Sequence, residues 1–181
     1  MKYFELSKER ESAIRAASEA VSSGELVIFP TETVYGLFFS EKGRESAYRL
    51  KGRDLSKKCA YHVGSFGSVL ALVGNLDEEK KNLMRSKLPG PFTFLVPDAA
   101  GGKIGIRYPD HPEACAFLEG AAVPVFGTSA NKSGSKSPES AEETRELWDD
   151  VAVVVDGGSV SGLASEVIDI TGSIPKIIRT R

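Results

Sequence analysis

Short apolar segments that end at proline or glycine alternate with helical patterns along this chain. Residues 26–29 (LVIF) end at Pro30, and residues 92–96 (FTFLV) end at Pro97. Apolar runs of this length predict buried strands, whereas apolar residues three or four positions apart predict helices. The predicted strands are residues 26–29, 60–63, 92–96, 104–108, 123–126, 151–155, 166–170 and 176–179. The predicted helices are residues 14–21, 44–50, 69–73, 77–88, 113–118 and 140–148, the last with a capping box of Ser140 and Glu143.

This alternation predicts an α/β fold with a mixed sheet. The neighbouring strands 92–96 and 104–108 are joined by a short loop, which implies an antiparallel pair and argues against a purely parallel, doubly wound sheet. A chain of 181 residues is long enough to bury a large core without staples. We therefore expect residues 1–181 to form one domain with helices packed on the sheet.

A basic cluster stands out in a chain that is acidic overall. Residues 42–58 hold seven lysines and arginines against two acidic residues, a net charge of +5, while the whole chain has a formal charge of −2. Such a concentration of charge is typical of a surface that binds phosphates or a nucleic-acid backbone, although a solvated helix face has the same composition. The sequence contains neither a P-loop nor a GxGxxG segment. Phosphates would therefore be held by side chains of the cluster and by the Ser/Gly-rich turn 127–137.

The remaining features indicate a cytoplasmic protein. The first ten residues lack the apolar region of a signal peptide, and no stretch approaches the ~20 apolar residues of a membrane span. The two cysteines, Cys59 and Cys115, do not form a disulfide framework. With His62 and His111 they could supply four zinc ligands, but the spacing is a weak match because residues 59–62 are predicted to be extended. We expect no metal held by the protein.

Five segments occur in the order found in a known family: PTETVYGL (30–37), KGR (51–53), PGPFTF (89–94), GIRYP (105–109) and TSANKSG (128–134). Together they closely resemble the YrdC/TsaC family of threonylcarbamoyl-AMP synthases. The resemblance implies a twisted open sheet with a positively charged concave surface. It also implies the reaction of L-threonine, bicarbonate and ATP, supplied with Mg²⁺, to give threonylcarbamoyl-AMP and pyrophosphate.

The implied biological role is the threonylcarbamoyl-adenosine modification of tRNA beside the anticodon. Its partners would be the tRNA threonylcarbamoyl transferase proteins, and tRNA or double-stranded RNA itself. Two alternatives remain open: a non-catalytic RNA-binding protein, and a related enzyme that forms another carbamoyl-adenylate. Few aromatic residues lie near the basic cluster, which argues against a surface for base stacking.

The resemblance also implies the residues that handle the nucleotide. Lys51 and Arg53 match the K-x-R pair of the family and would face the phosphates, while Ser129 and Asn131 match its S-x-N pair and would hydrogen bond around the nucleotide. These four are the implied catalytic residues. Further positions that match residues near ATP are Lys57, Ser137 and Arg179.

A second group matches positions near threonine in the family. Its members are Thr33, His62, Arg107 and Ser165. An arginine suits this task because its guanidinium can donate to both oxygens of a carboxylate. The chain departs from the family pattern at Phe38, which replaces a glycine, at Lys58 and Cys59, which replace a proline and an aliphatic residue, and at Glu166, which replaces a threonine. It also lacks the glycine that commonly follows Arg179 two places on.

Overall fold

The computed structural model describes residues 1–73, 76–98 and 101–181. In these residues ten strands form a single sheet in the order β1-β8-β2-β3-β7-β4-β6-β5-β9-β10. The strands are β1 (Lys2–Glu5), β2 (Val27–Pro30), β3 (Tyr35–Phe39), β4 (Ala60–His62), β5 (Phe92–Pro97), β6 (Lys103–Arg107), β7 (Val125–Ser129), β8 (Val153–Asp156), β9 (Glu166–Asp169) and β10 (Lys176–Arg179).

Five α-helices flank the sheet: α1 (Leu6–Ser23), α2 (Arg44–Lys51), α3 (Phe66–Val73), α4 (Glu78–Arg85) and α5 (Pro112–Gly120). Helix α1 ends at Gly24, whose φ of 97° is a left-handed conformation that favours glycine. A Cβ at Gly24 would also come within 2.8 Å of the Lys42 Cβ. Within the described residues no helix has the length and apolar character needed to cross a membrane.

The mixed sheet predicted from the sequence is confirmed. Strands β5 and β6 pair antiparallel, whereas β4 and β6, and β5 and β9, pair parallel. The predicted count of eight strands is wrong, because β1 and β3 are additional. Strand β1 has the mixed sequence KYFE and lies at an edge beside β8, so it shows no apolar run. Strand β3 contains Gly36, a residue that disfavours strands, but a Cβ there would come within 2.5 Å of the Phe38 ring.

The helix predicted for residues 140–148 is also different in the structure. A 3₁₀ helix spans Glu142–Asp150, so it begins two residues later than predicted. The Ser140 hydroxyl accepts a long hydrogen bond of 3.4 Å from the Glu143 amide, but the Glu143 carboxylate accepts from the Glu139 amide rather than from Ser140. Only one half of the predicted capping box is therefore formed.

One face of the sheet is covered from β8 to β9, whereas every residue of the edge strand β10 is exposed. Beside β2 and β3 this face packs Ile28, Leu37 and Phe39 against α2 and the 3₁₀ helix. Beside β5, β6 and β9 it packs Phe94 and Ile106 in a cluster with residues of α3 and α4. Burial of these side chains contributes about 1.5–3 kcal/mol each, which fixes which face of each strand points inward.

The opposite face is covered along only part of its width. Helices α1 and α5 pack there against Val27, Phe29 and Phe38 of β2 and β3. Beyond these strands, the same face of β7, β4, β6, β5 and β9 carries polar and small residues that line a cavity. The sheet therefore presents an open concave surface beside the two helices.

Candidate active site

A cavity of about 620 Å³ occupies this open face. Its walls come from strands β3 to β7, from β9 and β10, and from the connecting loops. Among the described residues, the charged side chains that line it are all basic: Arg53, Lys58, Lys103, Arg107 and Arg179. A cavity lined in this way favours anionic ligands.

The strand register divides the cavity into two ends. Arg107, Gly105 and Lys103 alternate along β6, with Arg107 beside His62 of β4 and Gly105 against Ala60. A Cβ at Gly105 would lie 3.0 Å from the Ala60 Cβ, so these small residues leave space for a ligand above this part of the sheet. Arg107 and Lys103 are four positions apart along β6, so their Cα atoms are separated by about 13 Å. We call these the Arg107 end and the Lys103 end.

The Arg107 end contains a buried ion pair that is only half satisfied. Arg107 is 5% exposed, and its Nη2 donates to Glu32 Oε1 at 2.9 Å and to Thr33 Oγ1 at 2.7 Å. Arg107 Nη1 and Glu32 Oε2 are buried without a hydrogen-bond partner. Burial lowers the pKa of Arg107 and the nearby Glu32 carboxylate opposes the shift, so the guanidinium stays charged. A free, buried cationic donor of this kind suits a carboxylate. Glu32 is not among the predicted site residues, although it lies in the segment 30–37.

His62 lies beside Arg107 and is neutral. Its Nδ1 is 3.1 Å from the Ala60 carbonyl oxygen, which can only accept, so Nδ1 carries the proton and Nε2 is left as an acceptor. Burial, and secondly the charge of Arg107, lower the pKa of His62 to about 3. The ring also packs edge-on against Phe38, with centroids 5.1 Å apart. His62 can therefore accept a hydrogen bond from a ligand hydroxyl or amine.

Ser165 completes the Arg107 end together with Thr93. Their hydroxyl oxygens are 2.8 Å apart, and both residues are buried. Arg179 donates to the Ser165 carbonyl oxygen at 2.8 and 3.0 Å and to its hydroxyl at 3.2 Å. The predicted threonine-site residues therefore lie together, and Arg179, whose predicted role is at ATP, lies with them. Thr93 is not among the predicted residues, although it belongs to the PGPFTF segment.

Arg53 and Ser129 lie toward the Lys103 end. The Arg53 guanidinium donates to the carbonyl oxygens of Lys57 at 3.1 Å and Lys58 at 3.2 Å, and within the described residues no carboxylate pairs with it. Ser129 lies two residues beyond Gly127, which pairs with Ala60. Ser137 also lines the cavity. With Arg179 at the Arg107 end, four of the predicted nucleotide residues therefore share this cavity.

Lys51 lies behind the cavity wall and does not line it. It is 3% exposed, and its Nζ donates to the carbonyl oxygens of Ser129 and Asn131, both at 2.5 Å. Burial, and then the charge of Arg53, lower the pKa of Lys51 to about 8. The Lys51 carbonyl also accepts from the Ser133 amide at 2.9 Å. In this arrangement Lys51 fixes the 128–134 turn to the end of α2.

Asn131 and Lys57 also lie outside the lining of the described cavity. Asn131 Nδ2 donates to the carbonyl oxygens of Lys132 and Ser135, and its Oδ1 is buried without a partner. Lys57 is exposed. The basic cluster therefore does not face the cavity as a whole. Of its seven cations, Arg53 and Lys58 line the cavity and the other five do not.

Of the four residues of the weak zinc pattern, Cys59 and His62 both line the cavity, whereas His111 and Cys115 do not. Cys59 is buried in the core cluster that also contains Tyr48. His111 is at the start of α5, where its Nδ1 accepts from the Ala114 amide at 3.2 Å. Cys115 is half-buried and donates to the Pro109 carbonyl oxygen. Among the described residues no group of three or more His, Cys, Asp or Glu is arranged to hold a metal ion.

Comparison with known proteins identifies the family. Residues 19–180 match the model of the Sua5/YciO/YrdC family, described as "telomere recombination". The chain belongs to this family. It is 34% identical to a threonylcarbamoyl-AMP synthase of Bacillus subtilis, an alignment that covers 92% of the chain and 52% of that protein.

Two solved structures of the Sua5/YciO/YrdC family support the fold. Sua5 of P. abyssi carrying H234A/Y235A superposes with a TM-score of 0.91 at 31% identity, over 98% of this chain and 59% of that one. The same protein complexed with L-threonine superposes with a TM-score of 0.88, over 98% and 56%. The chain thus spans little more than half the length of these relatives.

The departures from the expected family pattern at Phe38, Lys58 and Glu166 lie in different places. Phe38 lines the cavity, is fully buried and packs on His62. Lys58 lines the cavity, and its Nζ donates to Asp98 Oδ2 at 3.0 Å. Glu166 does not line it, whereas its neighbours Ser165 and Val167 do. In this Sua5/YciO/YrdC chain, the departures at Phe38, Lys58 and Cys59 thus line the cavity, and the departure at Glu166 does not.

The buried neutral state of His62 predicts a pH-dependent stability. Since the folded-state pKa of about 3 lies below the ordinary 6.5, the unfolded chain binds the extra proton first as the pH falls. The stabilisation that comes from keeping His62 neutral is fully present above pH 6.5 and decreases as the pH falls toward 3. At about 1.4 kcal/mol per pH unit, lowering the pH from 7 to 5 should cost about 2 kcal/mol of unfolding free energy.

Urea unfolding of the wild type and of His62→Gln, each at pH 7 and pH 5, measures this difference. We expect the variant to lose about 2 kcal/mol less than the wild type over this range. The comparison uses the change with pH, so a general loss of stability in the variant does not affect it. Equal losses would show that His62 is protonated in the folded protein.

Proposed function

We propose that this chain is a threonylcarbamoyl-AMP synthase. It would use L-threonine, bicarbonate and ATP and release pyrophosphate. The observation that carries the proposal is the division of one cavity into two ends. Arg107 has a buried, unpartnered Nη1 suited to a carboxylate, while Arg53 has no carboxylate partner within the described residues and is suited to phosphates.

The chemistry needs no nucleophile from the protein. The threonine amine adds to bicarbonate to give a carbamate and water, and a carbamate oxygen then attacks the α-phosphorus of ATP. The bond from the α-phosphorus to the bridging oxygen breaks, and pyrophosphate leaves with that oxygen. Catalysis is then a matter of holding the reactants in line and stabilising the developing charge.

The residues divide between these tasks. Arg107 would bind the threonine carboxylate, and His62 Nε2 would accept from the threonine hydroxyl. Arg53 and Ser129 would contact the phosphates, while Lys51 and Asn131 would hold the turn that carries Ser129. The shared cavity and the 34% identity to the Bacillus subtilis enzyme support this division.

The remaining components follow from the same reaction. Mg²⁺ would enter bound to ATP, since the described cavity has no carboxylate in its lining to hold the ion. The product would serve the threonylcarbamoyl-adenosine modification of tRNA in the cytoplasm, through the tRNA threonylcarbamoyl transferase proteins. Direct binding of tRNA or double-stranded RNA is a further part of the proposal.

Pyrophosphate release tests the reaction. The purified chain with MgATP should release pyrophosphate only when both threonine and bicarbonate are present, because the carbamate is the nucleophile. Arg107→Lys should reduce release at low threonine more than at saturating threonine. Equal release without threonine would contradict the assignment. RNA binding with no pyrophosphate release would favour the non-catalytic alternative.

A further inference from the structure

Two lysines, Lys58 and Lys103, lie side by side at the end of the cavity opposite Arg107. Lys58 Nζ donates to the Lys103 carbonyl oxygen at 3.2 Å, and both side chains line the cavity. We propose that these two ammonium groups bind the β- and γ-phosphates of ATP and the pyrophosphate that leaves. This inference rests on the proposed function and adds two phosphate ligands that are not among the predicted site residues.

The spacing along the sheet supports this position. Nine covalent bonds separate the threonine carboxyl carbon from the γ-phosphorus in the reacting complex. An extended chain gains about 1.2 Å per bond, so the span is roughly 11 Å. Arg107 and Lys103 are separated by about 13 Å along the same strand face. A substrate anchored at Arg107 would therefore bring its terminal phosphates within reach of the two lysines.

Both lysines retain hydrogen-bond donors. An ammonium group has three N–H bonds. Lys58 uses two, to Asp98 Oδ2 and to the Lys103 carbonyl oxygen, and Lys103 uses one, to Asp169 Oδ2 at 2.5 Å. Within the described residues this leaves one donor on Lys58 and two on Lys103. These three charge-assisted donors, on two side chains that line the same end of the cavity, suit the oxygens of a diphosphate group.

Their present ion pairs do not prevent this role. The Lys58 side chain is 61% exposed and the Lys103 side chain 53% exposed. The carboxylates of Asp98 and Asp169 are 14% and 11% exposed, so the ammonium groups are the exposed partners and can turn toward a ligand that enters the cavity. Asp98, 3.0 Å from Lys58, competes with an incoming phosphate for that ammonium group.

The competition makes the proposal distinguishable from a purely structural role. If Lys58 and Asp98 only held the loop at Asp98 and Gly102 in place, removing either partner would have the same effect. If Lys58 binds phosphate, Lys58→Ala should weaken phosphate binding, whereas Asp98→Asn should strengthen it. Asparagine retains an oxygen to accept the 2.8 Å hydrogen bond from the Gly102 amide, so the loop keeps this contact.

The experiment measures the KM for ATP, the KM for threonine and product inhibition by pyrophosphate. Lys58→Ala and Lys103→Ala should each raise the KM for ATP and weaken pyrophosphate inhibition by about five- to tenfold, with the KM for threonine unchanged. Asp98→Asn should lower the KM for ATP about twofold. Lys81→Ala is the matched control, because Lys81 pairs with Glu78 at 3.0 Å and does not line the cavity. It should change none of these constants.

Two results would overturn the proposal: an unchanged KM for ATP in both lysine variants, or a shift in the same direction for Lys58→Ala and Asp98→Asn. Calorimetric binding of inorganic pyrophosphate keeps the test separate from the proposed function. If the wild type shows no threonine-dependent turnover, weaker binding of pyrophosphate by the lysine variants still supports the phosphate site. Equal binding by wild type and variants rejects it.

Discussion

Arg53→Ala is expected to reduce pyrophosphate release by a factor on the order of a hundred or more. Removing one group that stabilises developing charge at a reacting centre has an effect of this size. Arg53 lines the cavity, and its guanidinium donates only to the carbonyl oxygens of Lys57 and Lys58 among the described residues. Its charge is therefore available to the phosphates, and alanine offers no replacement. Steady-state turnover at saturating threonine and bicarbonate measures the effect.

The fold should survive this substitution, because Arg53 is only half-buried and its hydrogen bonds stay within one exposed loop. Arg49→Ala provides the matched control, since Arg49 belongs to the same basic cluster but is exposed and does not line the cavity. It should retain turnover close to that of the wild type. An unfolded Arg53→Ala by circular dichroism would indicate a structural role. Full turnover in a folded Arg53→Ala would remove Arg53 from the reaction.

The strands that the sequence predicts are those whose apolar runs end at proline or glycine. Strands β5 and β6 are examples, and their antiparallel pairing follows from the short loop between them. Strand β3 is missed because Gly36 weakens its pattern, although the Phe38 ring leaves room only for glycine there. The Phe38 ring is held there by its packing on His62 and Phe117, which are distant in sequence, and local propensity does not contain this tertiary effect.

The motifs contain many of the residues that line the cavity, but they do not predict how each is used. Lys51 belongs to the K-x-R pair, yet its Nζ turns to the carbonyl oxygens of the 128–134 turn. Lys103 has no motif at all, and only the register of β6 brings it to the same face as Arg107. Glu32 is present in a recognised segment, but its contact with Arg107 spans 75 residues of chain. Contacts of this range depend on the complete sheet and cannot be seen in a local pattern.

The kcat/KM for the amino-acid substrate should decrease in the order threonine, serine, valine. His62 is a neutral acceptor at Nε2 beside Arg107, so the proposed pocket can read the hydroxyl of a substrate whose carboxylate is bound by Arg107. Serine keeps that hydroxyl and loses only a methyl contact, worth ~1 kcal/mol, or about a five- to tenfold loss in kcat/KM. Valine keeps the shape of threonine but leaves the buried acceptor without a partner.

Because unpaired polar groups are costly, valine should fall below threonine by several orders of magnitude in kcat/KM. Pyrophosphate release with each amino acid in place of threonine, at fixed MgATP and bicarbonate, measures the three values. His62→Phe should narrow the gap between serine and valine, since it removes the acceptor and keeps an aromatic ring. If the kcat/KM of the wild type for valine equalled or exceeded that for serine, the pocket would not recognise the hydroxyl by a hydrogen bond. Phe38 would then be the first residue to exchange, because it packs on His62 and lines the cavity, whereas Glu166 does not line it.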